Sequence, residues 1–130
     1  MQPAAGRQAA DPIVYCLTRD HDLAAAVDRR LSGGIAFFYN DAGRLHQAVR
    51  LRAPSIVLVD TGAVRPEYGD AGLGPVFEFL RHRVPAARLM VRPAPGAEQL
   101  VAAEAGISVE VVPYGLDACV DALIAAAEPG

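Results

Sequence analysis

The chain has 130 residues, of which 52% are apolar and 21% charged, and its formal net charge is −3 at pH 7. This length fits one domain with its own hydrophobic core, and the composition excludes an intrinsically disordered chain. The acidic balance and the lack of a basic stripe argue against direct binding of nucleic acid. Because no apolar run approaches the ~20 residues of a membrane-spanning helix, we expect a cytoplasmic protein with no membrane contact.

The side-chain inventory restricts the chemistry open to the chain. Cys16 and Cys119 lie far apart in predicted regular elements, and no CxxC or Cys/His spacing supports a redox pair or a metal site. We therefore expect buried, reduced thiols, no metal and no cofactor. All 12 basic residues are arginine, which excludes Schiff-base chemistry. Since no nucleophile–base pair or phosphate loop is visible, we do not expect an enzyme.

After a predicted flexible N-terminal tail over 1–11, a single domain over 12–130 alternates β-rich runs with stretches of helical period. Asp20 or Asp22 is placed to cap the first helix, and the glycine pair at 33–34 ends it. In chain order, the predicted elements are strand 13–17, helix 21–31, strand 35–39, helix 42–51, strand 56–60, helix 75–84, strand 88–91, helix 97–105, strand 108–112 and helix 115–128.

The segment 61–74 is an unusually long connection, rich in glycine and carrying Pro66. We predict a surface loop here, which serves either as a lid or partner contact through Arg65 and Tyr68 or as a merely tolerated insertion. Pro75 is expected to start the helix that follows. The buried face of that helix is predicted to consist of Val76, Phe79 and Leu80.

Strand–helix alternation of this kind predicts an α/β fold with right-handed crossovers and a five-stranded parallel sheet of flavodoxin-like order 2-1-3-4-5. Ligand sites in such sheets lie at the carboxyl ends of the strands, where the strand order reverses. The residues expected to line this cleft are Thr18, Arg19, Asp20, Asp60, Thr61, Gly62, Arg92, Pro113 and Tyr114.

Three stretches resemble the receiver domain of bacterial response regulators, and the resemblance runs from Ile13 to about Glu128. They are "IVLVD" ending at Asp60, "GPVFEFLR" over 74–81, and "AGISVEVVPYGLDACVDAL" over 105–123. The resemblance implies a receiver-like (βα)5 fold and a role in signal transduction, in two-component systems and in transcription regulation. In that family, the aspartate at the position of Asp60 accepts a phosphoryl group.

The chain departs from the receiver pattern at the other positions that this chemistry needs. Thr18 and Arg19 stand where receivers carry the acidic pair that holds Mg²⁺, and Asp20 is the only nearby acid. Arg92 replaces the Thr or Ser after strand four, and Val112 replaces the lysine before the proline. The site therefore resembles that of a degenerate receiver, a pseudo-receiver in which Asp60 is a vestigial phosphoacceptor.

The charged residues at the cleft allow three interpretations. We expect Arg19 to pair with Asp60 or Asp20 while Arg92 is solvated; alternatively, Arg19 and Arg92 form an anion site with backbone N–H groups at the start of the first helix. In either case, we expect an Asp60–arginine pair to fill the space that Mg²⁺ and phosphate occupy in working receivers. A phosphorylatable Asp60 is the third interpretation.

The expected function is a non-catalytic signalling module that acts on a protein partner or a C-terminal output domain. Candidate partner contacts are Arg65, Tyr68, Tyr114 and Val109, where Val109 stands at the position of the aromatic residue that many receivers move on activation. The resemblance also implies a homodimer through the face made by helix four, strand five and helix five. A sensor of an anionic metabolite bound in the cleft is the alternative from a different class.

Overall fold

The computed structural model describes residues 11–68, 73–97 and 109–128. The strands are β1 (Ile13–Leu17), β2 (Ile35–Tyr39), β3 (Ile56–Asp60), β4 (Arg88–Arg92) and β5 (Val109–Val111). The helices in these ranges are α1 (His21–Arg30), α2 (Ala42–Leu51), α3 (Thr61–Tyr68), α4 (Leu73–Arg83) and α5 (Leu116–Ala127). None of them is long and apolar enough to cross a bilayer. The predicted tail over 1–11, except for its last residue, and nearly all of the predicted helix 97–105 lie outside the described residues.

The five strands form one parallel sheet of order β2-β1-β3-β4-β5, which confirms the predicted flavodoxin-like arrangement. The register pairs Leu17 with Val59, and Asp60 with Arg92. The carboxyl ends of β1, β3 and β4 therefore meet at one edge of the sheet, where strand order reverses between β1 and β3.

Each face of the sheet is covered by its own hydrophobic cluster. The larger cluster packs α2, α3 and α4 on one face, centred on Phe77 and Leu80, and the smaller packs α1 and α5 on the other. All five residues of β3 are buried because this strand lies between β1 and β4 under both layers. Cys16 and Cys119 are buried and free in the smaller cluster, as predicted.

Aspartates fix the start of the first two helices. Asp20 Oδ1 accepts hydrogen bonds from the backbone N–H groups of Asp22 (3.0 Å) and Leu23 (3.2 Å), so Asp20 rather than Asp22 is the cap of α1. Asp41 Oδ1 caps α2 by accepting from Arg44 N at 2.8 Å. Each cap sits directly after a strand and turns the chain from the sheet into the helix above it.

The prediction of a loop over 61–74 is wrong for 61–68 and 73–74, because the chain enters α3 directly after β3 and α4 begins at Leu73; the rest of that segment lies outside the described residues. Ala63 and Val64 in this helix are fully buried against the larger cluster. Thr61 is buried as well, and its hydroxyl accepts a 2.9 Å hydrogen bond from Ala94 N. Tertiary packing of these residues therefore outweighs the low helix propensity that glycine and proline give the segment.

The predicted helix 75–84 begins two residues earlier, at Leu73, and its buried face includes Phe77 in place of Phe79. Pro75 is tolerated in the first turn because N–H groups there have no partner within the helix. The buried positions 73, 76, 77 and 80 follow the helical spacing of an inward stripe. Phe79 lies beside that stripe, partly buried, with its ring centroid 4.1 Å from that of His46.

Candidate functional site

Arg92 occupies the centre of the strand-end cleft. Its Nη1 lies 2.8 Å from Asp20 Oδ2 and 3.2 Å from Asp60 Oδ2, so one amino group of the guanidinium bridges both carboxylates. Its Nε donates a 2.8 Å hydrogen bond to the carbonyl oxygen of Tyr114, and the guanidinium lies 4.4 Å from the centroid of the Tyr114 ring. Only 2% of Arg92 is exposed.

Both carboxylate oxygens of Asp60 accept hydrogen bonds. Thr18 Oγ1 donates a 3.0 Å hydrogen bond to Asp60 Oδ2, and Gly62 N donates one of 3.1 Å to Oδ1. The same Thr18 hydroxyl accepts from Asp20 N at 3.0 Å. Together, Thr18, Asp20, Asp60, Arg92 and Tyr114 form what we call the Arg92 cluster. Because these bonds join β1, β3, β4 and the segment after β5, the cluster ties the carboxyl end of the sheet together.

The charges in the Arg92 cluster stabilise one another. The hydrogen bond from Arg92, helped by the backbone N–H groups of α1, holds the pKa of Asp20 below its usual range against the opposing effect of burial. Burial alone would lower the pKa of Arg92, but the bond to Asp20 and the charge of Asp60 outweigh it and raise that pKa. The guanidinium is therefore a permanent cation facing two carboxylates.

The two arginines have exchanged the roles that the sequence suggested. The expectation that Arg19 pairs with Asp60 or Asp20 while Arg92 is solvated is wrong: Arg92 is buried and paired, whereas Arg19 is exposed and its Nε donates to Asn40 O at 2.9 Å. Thr18 N bonds to Tyr39 O and extends the β1–β2 ladder by one residue. This places the Thr18 side chain inward and directs Arg19 toward the end of β2. The predicted Asp60–arginine pair is present, with Arg92 as the partner.

The residues of the cluster do not fit Mg²⁺. The ion requires a near-octahedral shell of oxygen ligands, usually with one or two carboxylates. Asp20 and Asp60 supply carboxylates, but the Arg92 guanidinium lies between them at hydrogen-bond distance. Within the described residues, no group of three or more His, Cys, Asp or Glu side chains could hold a metal ion. Arg92 supplies the positive charge that a cation would otherwise contribute.

The remaining predicted site residues divide by burial. Val109 is 6% exposed and belongs to the larger hydrophobic cluster, so it is a core residue and not a partner contact. Val112 is buried in the other cluster. Tyr114 is 46% exposed beside Arg92 and remains a contact candidate. Arg65 and Tyr68 belong to α3, and their side chains lie outside the part of the chain that the structure describes.

Two cavities open at this end of the sheet. The smaller, about 230 Å³, is lined by Asp20, Asp60, Arg92 and Tyr114 of the cluster together with Arg19, Gly62 and Ala94. The larger, about 840 Å³, lies between the ends of β1 and β2 and the helices α1 and α2. Sequence reasoning missed Asn40, Arg44 and Gln47 in its lining. Asn40 directly follows β2, at the same end of the sheet as Asp60, and this was the signal that could have identified it; Arg44 and Gln47 lie in the first two turns of α2, the helix that starts from that end.

No protein-family model matches this chain, and no curated protein sequence matches it either.

Proposed function

We propose that this domain is a non-catalytic signalling module, a pseudo-receiver, that regulates a protein partner or an attached output domain without Mg²⁺-dependent phosphorylation of Asp60. The observation that carries the proposal is the bridge from Arg92 Nη1 to Asp20 and Asp60. A phosphoryl group on Asp60 would need a metal and cationic donors around its three spreading oxygens. Among the described residues, Arg92 is the one cation in contact with Asp60, and it is already bound to two carboxylates and the Tyr114 carbonyl.

A permanent guanidinium also has a conformational consequence. In a switch, a ligand shifts the population only by as much as it prefers one state over the other. Arg92 is part of the chain and cannot dissociate as a bound ligand would. Its guanidinium joins Asp60 on β3 to Tyr114, which precedes α5. We therefore propose that the domain holds one conformation and presents a constant surface to its partner.

The surface proposed for that partner lies at the β5–α5 end of the sheet. Val111 and Tyr114 are 50% and 46% exposed there, which is high for apolar side chains. By the receiver resemblance, this same face would support a homodimer. The partner would then contact the ring of Tyr114, which packs against the Arg92 guanidinium.

The experiment that tests the proposal is a two-dimensional NMR titration with Mg²⁺, followed by beryllofluoride as a mimic of an aspartyl phosphate. We expect no saturable shifts at the backbone amides of 18–20, 60–62 and 92. Saturable, Mg²⁺-dependent shifts centred on those residues would overturn the proposal.

In a variant without Arg92, the same titration should give the opposite result, which is Mg²⁺ binding. Arg92→Thr removes the guanidinium and leaves Asp20 and Asp60 facing an open position, so we expect Mg²⁺ to bind and shift the amides of both residues. Arg88→Thr is the matched control, because Arg88 lies at the other end of β4 in an exposed pair with Glu110. If Arg92→Thr folds but shows no more Mg²⁺-dependent amide shifts than Arg88→Thr, then the Arg92 guanidinium does not occupy a cation site.

A further inference from the structure

The larger of the two cavities described above borders the Arg92 cluster at Thr18 and Asp20 but is not lined by Asp60, Arg92 or Tyr114. It lies at the carboxyl ends of β1 and β2, with α1 and α2 as its walls, is open to solvent, and has a volume of about 840 Å³. This volume is within the range of pockets that hold small organic molecules, roughly 300–1,000 Å³. The smaller cavity beside Arg92 has about 230 Å³ and is lined by groups that already bind one another.

The walls of the larger cavity combine an apolar surface with a few polar groups. Phe38 and Tyr39 of β2 lie at its edge, and Ala48 and Leu51 of α2 form one side. Leu51, at the end of α2, is 89% exposed. Such a surface suits the apolar or aromatic body of a ligand, which would cover Leu51 on binding.

The charges around the cavity are already paired, with one exception. Arg44 Nε lies 3.3 Å from Asp41 Oδ2, and Asp20 is bound by Arg92. Arg19 uses its Nε to hold Asn40 O, and its two terminal amino groups have no partner among the described residues. They form the planar fork of donors that matches a carboxylate in bidentate geometry.

We propose that this cavity binds a small organic monoanion whose carboxylate is held by the terminal amino groups of Arg19 and whose apolar body packs on Phe38, Tyr39, Ala48 and Leu51. A single unpaired cation fits a single negative charge. Nucleoside triphosphates and other polyanions are disfavoured because Asp20 and Asp41 stand close by and no further unpaired arginine lines the described part of the cavity. Arg19 lines both cavities, so the bound carboxylate lies beside the Arg92 cluster.

The test is a two-dimensional NMR titration of the full chain with phenylacetate, in a buffer without Mg²⁺ so that the result is independent of the Asp60 question. We expect saturable shifts at the amides of 18–21, 39–41 and 47–48. Acetate supplies the charge without the ring, and phenylacetamide supplies the ring without the charge. Each should bind about tenfold more weakly or worse, because each loses one half of the recognition.

Two variants locate the site. Arg19→Gln should weaken phenylacetate binding by about tenfold or more, because a charge-assisted bidentate contact is lost. Gln47→Glu, which places a negative charge in the opposite wall at nearly constant volume, should weaken it as well. Arg29→Gln is the matched control, since Arg29 is exposed in the last turn of α1 and does not line the cavity.

The proposal would be overturned by the absence of a saturable shift with phenylacetate, by shifts centred on other residues, or by unchanged affinity in a folded Arg19→Gln variant. Equal affinity for acetate would also overturn it, because the site would then recognise charge alone.

Discussion

Asp60 and Arg92 are direct partners across the β3–β4 ladder, and the Oδ2 of one lies 3.2 Å from the Nη1 of the other. Both are nearly inaccessible, at 5% and 2% exposure. A buried guanidinium cannot be neutralised, so it is retained only where carboxylates and carbonyls satisfy it. Arg92 would keep Asp20 as a partner if Asp60 were lost, whereas loss of Arg92 would leave Asp60 buried without a cationic partner among the described residues.

Removing the cation should be costly for this reason. We expect Arg92→Met to lower the free energy of unfolding by about 3–5 kcal/mol, because Asp60 is left as an uncompensated buried charge. Urea denaturation measures this loss. Arg88→Met on the same strand is the control: its partner Glu110 is exposed, so the loss should be within about 1 kcal/mol. Equal destabilisation by the two substitutions would contradict the role given to Arg92.

The lowered pKa of Asp20 predicts how stability depends on pH. Because its folded-state pKa lies below that of the unfolded chain, near 4, the charged carboxylate stabilises the fold above that pH, and the contribution is lost as the pH falls through the folded-state value. Asp20→Asn keeps a helix cap but not the charge.

The stability difference between wild type and Asp20→Asn should therefore shrink as the pH is lowered below about 4. Thermal or urea unfolding between neutral and acidic pH measures it. Asp117→Asn, in the first turn of α5, is the control for a generic change of charge. A wild-type advantage that stays constant down to strongly acidic pH would contradict the Arg92–Asp20 bond.

A close backbone approach fixes the start of β2. A Cβ atom on Gly34 would lie 2.4 Å from Pro12 O and 2.7 Å from Pro12 Cγ, while Ile35 N donates to that same oxygen. We expect Gly34→Ala to destabilise the protein by about 1–3 kcal/mol, because β1 and β2 must separate to admit the methyl group.

Gly33→Ala is the neighbouring control, since its Cβ would meet only the end of the Glu128 side chain at 3.5 Å. Its effect should be within about 0.5 kcal/mol. Similar melting temperatures for the two variants would indicate that the β1–β2 pairing is looser than the structure shows.

The thiols should be inert in the folded protein. Burial raises the pKa of Cys119 to about 11 and that of Cys16 further, so neither is a thiolate at neutral pH. We expect reaction with a thiol-specific chromogenic disulfide to be limited by opening of the fold, and both thiols to react at once in denaturant. Immediate labelling of one thiol under native conditions would show that the α5 side of the core opens locally.

The fold was predictable because its signals are local and repeated. Apolar runs and helical stripes mark β1 to β4 and the helices α1 and α2 almost to the residue, and the alternation leaves few topologies open. The α3 segment was not predictable in this way. Its Gly62 and Pro66 carry the local signal of a loop, whereas burial of Ala63 and Val64 against the sheet is a non-local effect.

At the site, the sequence indicated which residues meet but not how they pair. Strand ends brought Thr18, Asp60 and Arg92 together in the prediction, and they do meet. Asp60 pairs with Arg92 and not with Arg19 because the chain after β1 directs the Arg19 side chain away from Asp60. The hydrogen bond from Thr18 N to Tyr39 O fixes that direction. No composition or spacing rule encodes such a bond.

Helix α5 connects the carboxyl end of the sheet to its amino end. It begins just after Tyr114, whose carbonyl and ring contact Arg92. At its other end, Glu128 Oε2 accepts from Ser32 N at 2.8 Å and Gly33 N at 2.7 Å, in the turn before β2. A rod of 12 residues, about 18 Å long, is thus anchored at both ends. A displacement of Arg92 would therefore move α5, and the movement would be felt at the opposite end of the sheet, where Glu128 binds the turn before β2.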